Sequence, residues 1–177
     1  MELIISDGGR KAAGFKGYCG DCLVRAIAIA ARRPYAEVYR ECAIMNANYS
    51  KTCFPKWRYA GVRTARHGVC TDHAQFRDYM KKMEFVWYPP RRRGKTCKLY
   101  LDDTDIPIGR LIVSLSNCWV AVIDGSICDS SDPRNDYSRW PRRRVFGWWK
   151  LETAEAMHNT MHFIPSEKEI NHDYGNI

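Results

Sequence analysis

The chain has 177 residues with 45% apolar side chains, enough for one packed core and too many for a disordered segment. No run approaches a membrane span, and residues 1–11 (MELIISDGGRK) lack the basic-then-apolar pattern of a secretory signal, so no membrane partner and a cytoplasmic location are expected. Lys and Arg number 28 against 20 Asp and Glu, and 18 of those cations are Arg, which favours an acidic or phosphate-bearing partner.

Residues 1–5 read as a short strand. Residues 6–20 are rich in Gly and cations and read as an extended, mobile stretch. Residues 1–16 thus form a mobile basic N-terminal segment ahead of a single domain over residues 17–164. Residues 21–31 (DCLVRAIAIAA) carry apolar side chains on nearly every side, which predicts a core helix rather than a surface one. Asp21 is its expected N-cap, and Arg32 and Arg33 suit the negative end of its dipole. Pro34 opens a second helix with Tyr35, Val38, Tyr39, Cys42 and Met45 at helical spacing. Residues 46–66 read as irregular.

Thr71 is the expected cap of a third helix, marked by Phe76, Tyr79, Met80 and Met83. Strands follow at residues 85–88, stopped by Pro89-Pro90, and at 97–101, 111–115, 119–123, 126–129 and 145–149. Asp124-Gly125 is the strongest hairpin signal in the chain. Residues 153–162 read as a terminal helix and 165–177 as a polar tail. Helices first and an antiparallel sheet second predict an α+β fold.

Eight cysteines, at 19, 22, 42, 53, 70, 97, 118 and 128, are expected to be mostly reduced thiols in the absence of an export signal. Only Cys19-x-x-Cys22 is closely paired. His67-x-x-Cys70-x-x-His73 has the look of a zinc half-site, but it straddles a helix start and its side chains need not converge.

The chemistry concentrates on Cys22. At the first turn of a helix the free N–H groups and the dipole favour thiolate. The plain alternative is a small buried side chain. The hairpin of residues 116–129 weighs against that alternative, because a residue at the start of one strand and a carboxylate on the returning strand lie side by side. A histidine in the first position would be oriented by the carboxylate toward the helix-borne thiol.

These segments, GDCLVRAIAIA (20–30), PYAEVY (34–39), IPIGRLIVSLSNCWVAVIDGSICDSSD (106–132) and RVFGWW (144–149), resemble the papain-like cysteine peptidase superfamily. Within it they are most similar to small phage-encoded papain-like proteins. The resemblance implies a papain-like fold, with a buried N-terminal helix carrying the cysteine packed on an antiparallel sheet. It places Cys22 at the nucleophile and Asp129 at the acid that orients the histidine. The histidine's own place, directly before Trp119, is held by Cys118. Lys16 stands where papain-like enzymes often carry the Gln of the oxyanion hole. Lys16, Asp21 and Trp119 flank the implied site as binding residues.

Loss of one member of a nucleophile–base unit costs several powers of ten in rate, because the unit acts as a whole. The resemblance therefore implies a hydrolase of peptide or isopeptide bonds with impaired or lost activity, or a silent relative whose cleft binds a host protein or peptide in the host cytoplasm. No cofactor is expected. Two thiols at a Cys/His site also allow a disulfide, or a zinc ion held by Cys22, Cys118, Asp129 and Cys19.

A third function class rests on Arg91, Arg92 and Arg93, and on Arg142, Arg143 and Arg144. Beside Tyr137, Trp140, Trp148 and Trp149, such loops can grip single-stranded nucleic acid through phosphate contacts and base stacking. The alternative is a pair of solvated loops next to core aromatics.

Overall fold

The computed structural model describes residues 1–49, 60–90, 99–134 and 143–152. Among them are three helices, α1 (Cys22–Ala31), α2 (Tyr35–Asn48) and α3 (Ala74–Lys82), and six strands. The strands are β1 (Leu3–Ile5), β2 (Phe85–Tyr88), β3 (Arg110–Leu115), β4 (Cys118–Ile123), β5 (Ser126–Asp129) and β6 (Val145–Leu151). They form one sheet in the order β1-β5-β4-β3-β6-β2. The fold is α+β, as expected, but the sheet is mixed: β1 runs parallel to β5 while the other neighbours are antiparallel. None of the described helices is long and apolar enough to cross a membrane.

The central strands are apolar on both faces, and the structure covers both. Ile112, Ala121, Cys128 and Trp149 meet the helices, where Leu23, Val24, Ile27, Val38, Cys42, Phe76 and Met80 complete the larger core. Leu111, Val113, Leu115, Val120, Val122, Ile127 and Trp148 face away from them. Leu99, Leu101 and Ile106 close that second face, so strands with no polar side are satisfied by helices above and loop below. Fully burying side chains such as Leu23 and Ile27 stabilises the fold by about 1.5–3 kcal/mol each.

Local chemistry explains the strand boundaries. Asp124 and Gly125 both take positive φ (49° and 84°), the requirement of the two-residue turn that matches strand twist. The strand expected at 97–101 is not formed by its described part. Tyr100 N–H donates to Asp103 Oδ2 (2.7 Å) and Asp103 N–H returns to the Tyr100 carbonyl, which folds the segment into a turn. Residues 97 and 98, and the helix expected over 153–162, lie outside the described residues.

Gly147 in β6 has φ 141°, and a Cβ there would lie 2.5 Å from Trp87 Cζ2 and 2.8 Å from the Tyr88 carbonyl oxygen. Gly147→Ala is therefore expected to cost about 3 kcal/mol through combined overpacking and backbone strain. A drop in the urea midpoint at unchanged slope checks this, and an unaltered midpoint refutes it.

Helix ends differ from expectation in three places. Asp21 occupies the N-cap of α1, but its carboxylate makes no capping bond because other groups claim it. At the other end, Arg32 adopts the left-handed conformation (φ 53°), and it is Arg110 from β3 that donates to the Ala30 (2.6 Å) and Ile29 carbonyls. Arg33 instead pairs with Glu41 (2.7 Å) on α2. The α3 cap is His73, not Thr71, with Nδ1 accepting from Gln75 N–H (3.1 Å).

Candidate active site

Antiparallel pairing puts the start of β4 and the end of β5 at the same end of the sheet, and α1 packs across β4 with its N-terminus toward that end. Cys22, the first residue of α1, thereby meets Cys118, the first residue of β4. The Cys22 sulfur accepts the Trp119 N–H at 3.4 Å, and the Cys118 thiol beside it donates to the Trp119 carbonyl at 3.6 Å. Both sulfurs are free and both residues are half-buried.

The neighbouring Cys118 is the largest influence on Cys22. Against the cost of burial, it joins the Trp119 N–H and the Arg25 charge to bring the thiol down to about 7. The Asp129 carboxylate opposes this. Cys118 is driven strongly upward, first by the adjacent Cys22 thiolate, then by burial and by the neighbouring negative charges. One sulfur is thus stabilised as thiolate and the other holds its proton.

Beneath the sulfurs lies a buried charge network. Arg25, one turn on from Cys22, donates through Nη1 to Asp21 and through Nη2 to Asp129 (3.1 Å). Asp21, 1% exposed, also accepts from Arg10 Nε (2.8 Å) and the Tyr35 hydroxyl. Burial alone raises its pKa, but the neighbouring Cys19, the Tyr35 hydroxyl and the two guanidinium groups outweigh it and hold the carboxyl below its usual range. Asp129 Oδ1 accepts from the Ser130 N–H (2.6 Å) as well as from Arg25.

Arg10 draws in the segment ahead of α1. Its guanidinium reaches the carbonyls of Phe15 (3.1 Å), Lys16 (3.2 Å) and Gly17 (3.0 Å). Residues 6–20 consequently turn back toward α1 instead of running extended. Lys16 itself is exposed, and only its carbonyl is engaged in these bonds.

The structure thus brings together Cys22, Cys118, Trp119, Asp21 and Asp129. It adds Arg25, Arg10 and Tyr35, which the sequence reading passed over. Arg25 had left a signal: a lone cation in an otherwise apolar core helix, spaced three and four residues from Cys22 and Asp21. The described histidines are placed elsewhere. His73 stacks on Tyr49 (4.5 Å) while capping α3. His67 is exposed, with its backbone against Gly20. Among the described residues no group of three or more His, Cys, Asp or Glu is arranged to hold a metal ion, the His67/Cys70/His73 and Cys22/Cys118/Asp129 sets included.

Of the arginine loops, Arg91, Arg92, Arg93 and Arg142 lie outside the described residues, as do Tyr137 and Trp140. Arg143 Nη1 donates to the Ser116 carbonyl (2.8 Å), and Arg144 lies over the Phe146 ring (5.5 Å). Trp148 and Trp149 are core residues, 7% and 6% exposed, so they offer no face for base stacking.

No family model, curated protein or solved structure matches the chain.

Proposed function

We propose that the chain is a papain-like cysteine hydrolase homologue of phage type, in which a preformed Cys22 thiolate attacks an acyl carbon while Cys118 occupies the place of the histidine base. The observation that carries this reading is the Cys22 sulfur at the start of α1, accepting the Trp119 N–H at 3.4 Å beside the Cys118 thiol. A thiolate present near neutrality needs no base for the attack, and the free N–H groups of the first helical turn can receive negative charge on the substrate oxygen.

What such a site lacks is a ready acid. An amide can leave only as the protonated amine, and Cys118, whose proton is held tightly beside the thiolate, releases it poorly. Esters with good leaving groups are therefore the favoured acyl donors, and peptide or isopeptide bonds are turned over slowly. The Arg25–Asp129 ion pair supports a second reading, because it engages the carboxylate that a histidine would need. On that reading the cleft binds a host protein or peptide without chemistry.

One pair of experiments separates the two. Incubation of reduced protein with p-nitrophenyl acetate should leave an acetyl group on Cys22, seen by peptide mapping. Cys118→His should raise amide turnover by about 10²-fold or more. If ester acylation misses Cys22 although the thiol alkylates normally, the hydrolase reading is lost. If the histidine variant stays inert on amides, the binding reading gains.

A further inference from the structure

Cys22 and Cys118 meet at the Trp119 backbone, both residues partly exposed and both sulfurs unbridged. They come from a helix N-terminus and a strand start that are distant in sequence and packed together. Trp119 links them directly, its N–H given to Cys22 (3.4 Å) and its carbonyl accepting from the Cys118 thiol (3.6 Å). Acyl transfer uses Cys118 only as a neighbour that tunes Cys22, whereas dithiol chemistry uses its sulfur.

We propose that Cys22 and Cys118 form a redox dithiol that exchanges with low-molecular-weight disulfides, Cys22 as the attacking sulfur and Cys118 as the resolving one. In the first step Cys22 thiolate bonds to one sulfur of RSSR, the S–S bond breaks, and RS⁻ leaves. In the second, Cys118 loses its proton to solvent and its sulfur attacks Cys22, expelling the second RS⁻. The protein gives up two electrons and the Cys118 proton, and the two RS⁻ take up that proton and one from solvent to become two RSH.

The two thiols are tuned for this order. The neighbouring Cys22 thiolate is the largest reason the Cys118 proton is retained, burial comes next, and the repulsion of a second negative charge by Cys22 follows. A mixed disulfide on Cys22 abolishes that charge, so the resolving thiol is released only once there is something to resolve. The Arg143 charge then favours the Cys118 thiolate. Cys19 is engaged elsewhere, beside Asp21, and burial raises its pKa. The proposal stands apart from acyl transfer, because it requires only the two sulfurs.

The test is incubation of the full chain with oxidised glutathione at pH 7.5, acid quenching, maleimide blocking and peptide mapping. The parent should yield a Cys22–Cys118 bridge with little bound glutathione, and Cys19→Ser should yield the same bridge. Cys118→Ser should hold glutathione on Cys22 at about tenfold higher occupancy, since the resolving thiol is gone. Equal glutathione occupancy in parent and Cys118→Ser, or a Cys19–Cys22 bridge instead, overturns the proposal. Should the serine variant fail to fold, the bridge map of the parent decides alone. Ester acylation is scored on reduced protein, so a failure there is read independently.

Discussion

Replacing Cys118 with alanine is expected to move the Cys22 pKa from about 7 toward the free-thiol value near 8.5, because the largest stabilising contact of the thiolate is removed. At pH 7 the thiolate population then falls from about half to about 3%. A more basic thiolate is intrinsically more nucleophilic, which returns roughly a factor of five. Alkylation by iodoacetamide should therefore be about threefold slower than in the parent at pH 7 and faster above about pH 9, with the two profiles crossing between. Identical midpoints for parent and variant would show that Cys118 does not tune Cys22.

The largest loss of stability is expected from Arg25→Met. Arg25 faces two carboxylates that are almost wholly buried, Asp21 at 1% and Asp129 at 5% exposure. Methionine keeps much of the side-chain volume but leaves Asp129 without a cation and Asp21 with Arg10 alone. Removing one partner of a buried ion pair costs about 3–5 kcal/mol. The pH dependence has a definite sign. The Asp21 carboxyl is held below its ordinary range, so its stabilisation is complete above the unfolded value near 4 and is lost as pH falls through the folded one. Without Arg25 that folded value rises, and the acid loss of stability should begin at higher pH. Urea midpoints at pH 7 and pH 4.5 measure both effects. A variant within about 1 kcal/mol of the parent would mean the network is solvated, not buried.

The elements that could be read ahead of the structure were those whose signal is local. Phe85–Tyr88 ends at two prolines, and Asp124-Gly125 supplies the positive φ values its turn demands. The α1 segment is apolar all round and is buried accordingly. Features set by distant partners were not readable in the same way. Asp21 has the composition of a cap, but two residues outside the helix, Arg10 and Tyr35, compete for its carboxylate and win. Leu99 and Leu101 have the alternation of a strand, yet Asp103 turns the chain there and the two side chains plug the lower face of the sheet. At the site, the meeting of Cys22 with Cys118 was expected only through the family resemblance, whereas the capture of Asp129 by Arg25 depends on where the helix lies over the strand ends.

The parallel pairing of β1 with β5 has a consequence for the order of assembly. Leu3, Ile4 and Ile5 find their partners at Ile127, Cys128 and Asp129, so β1 cannot dock during synthesis until residues 127–129 have been made. Closing so long a loop carries a large entropic cost and rewards little until the hairpin of β4 and β5 already exists. Ser6 N–H extends the seam by donating to the Asp129 carbonyl (2.9 Å), and the turns that follow deliver Arg10 to Asp21. Maturation of the thiol site is thereby tied to a late folding event. Nascent chains halted before residue 126 should carry a helix α1 whose charge network is incomplete, and Cys22 acquires its finished surroundings only when the start of the chain has come back to the end of β5.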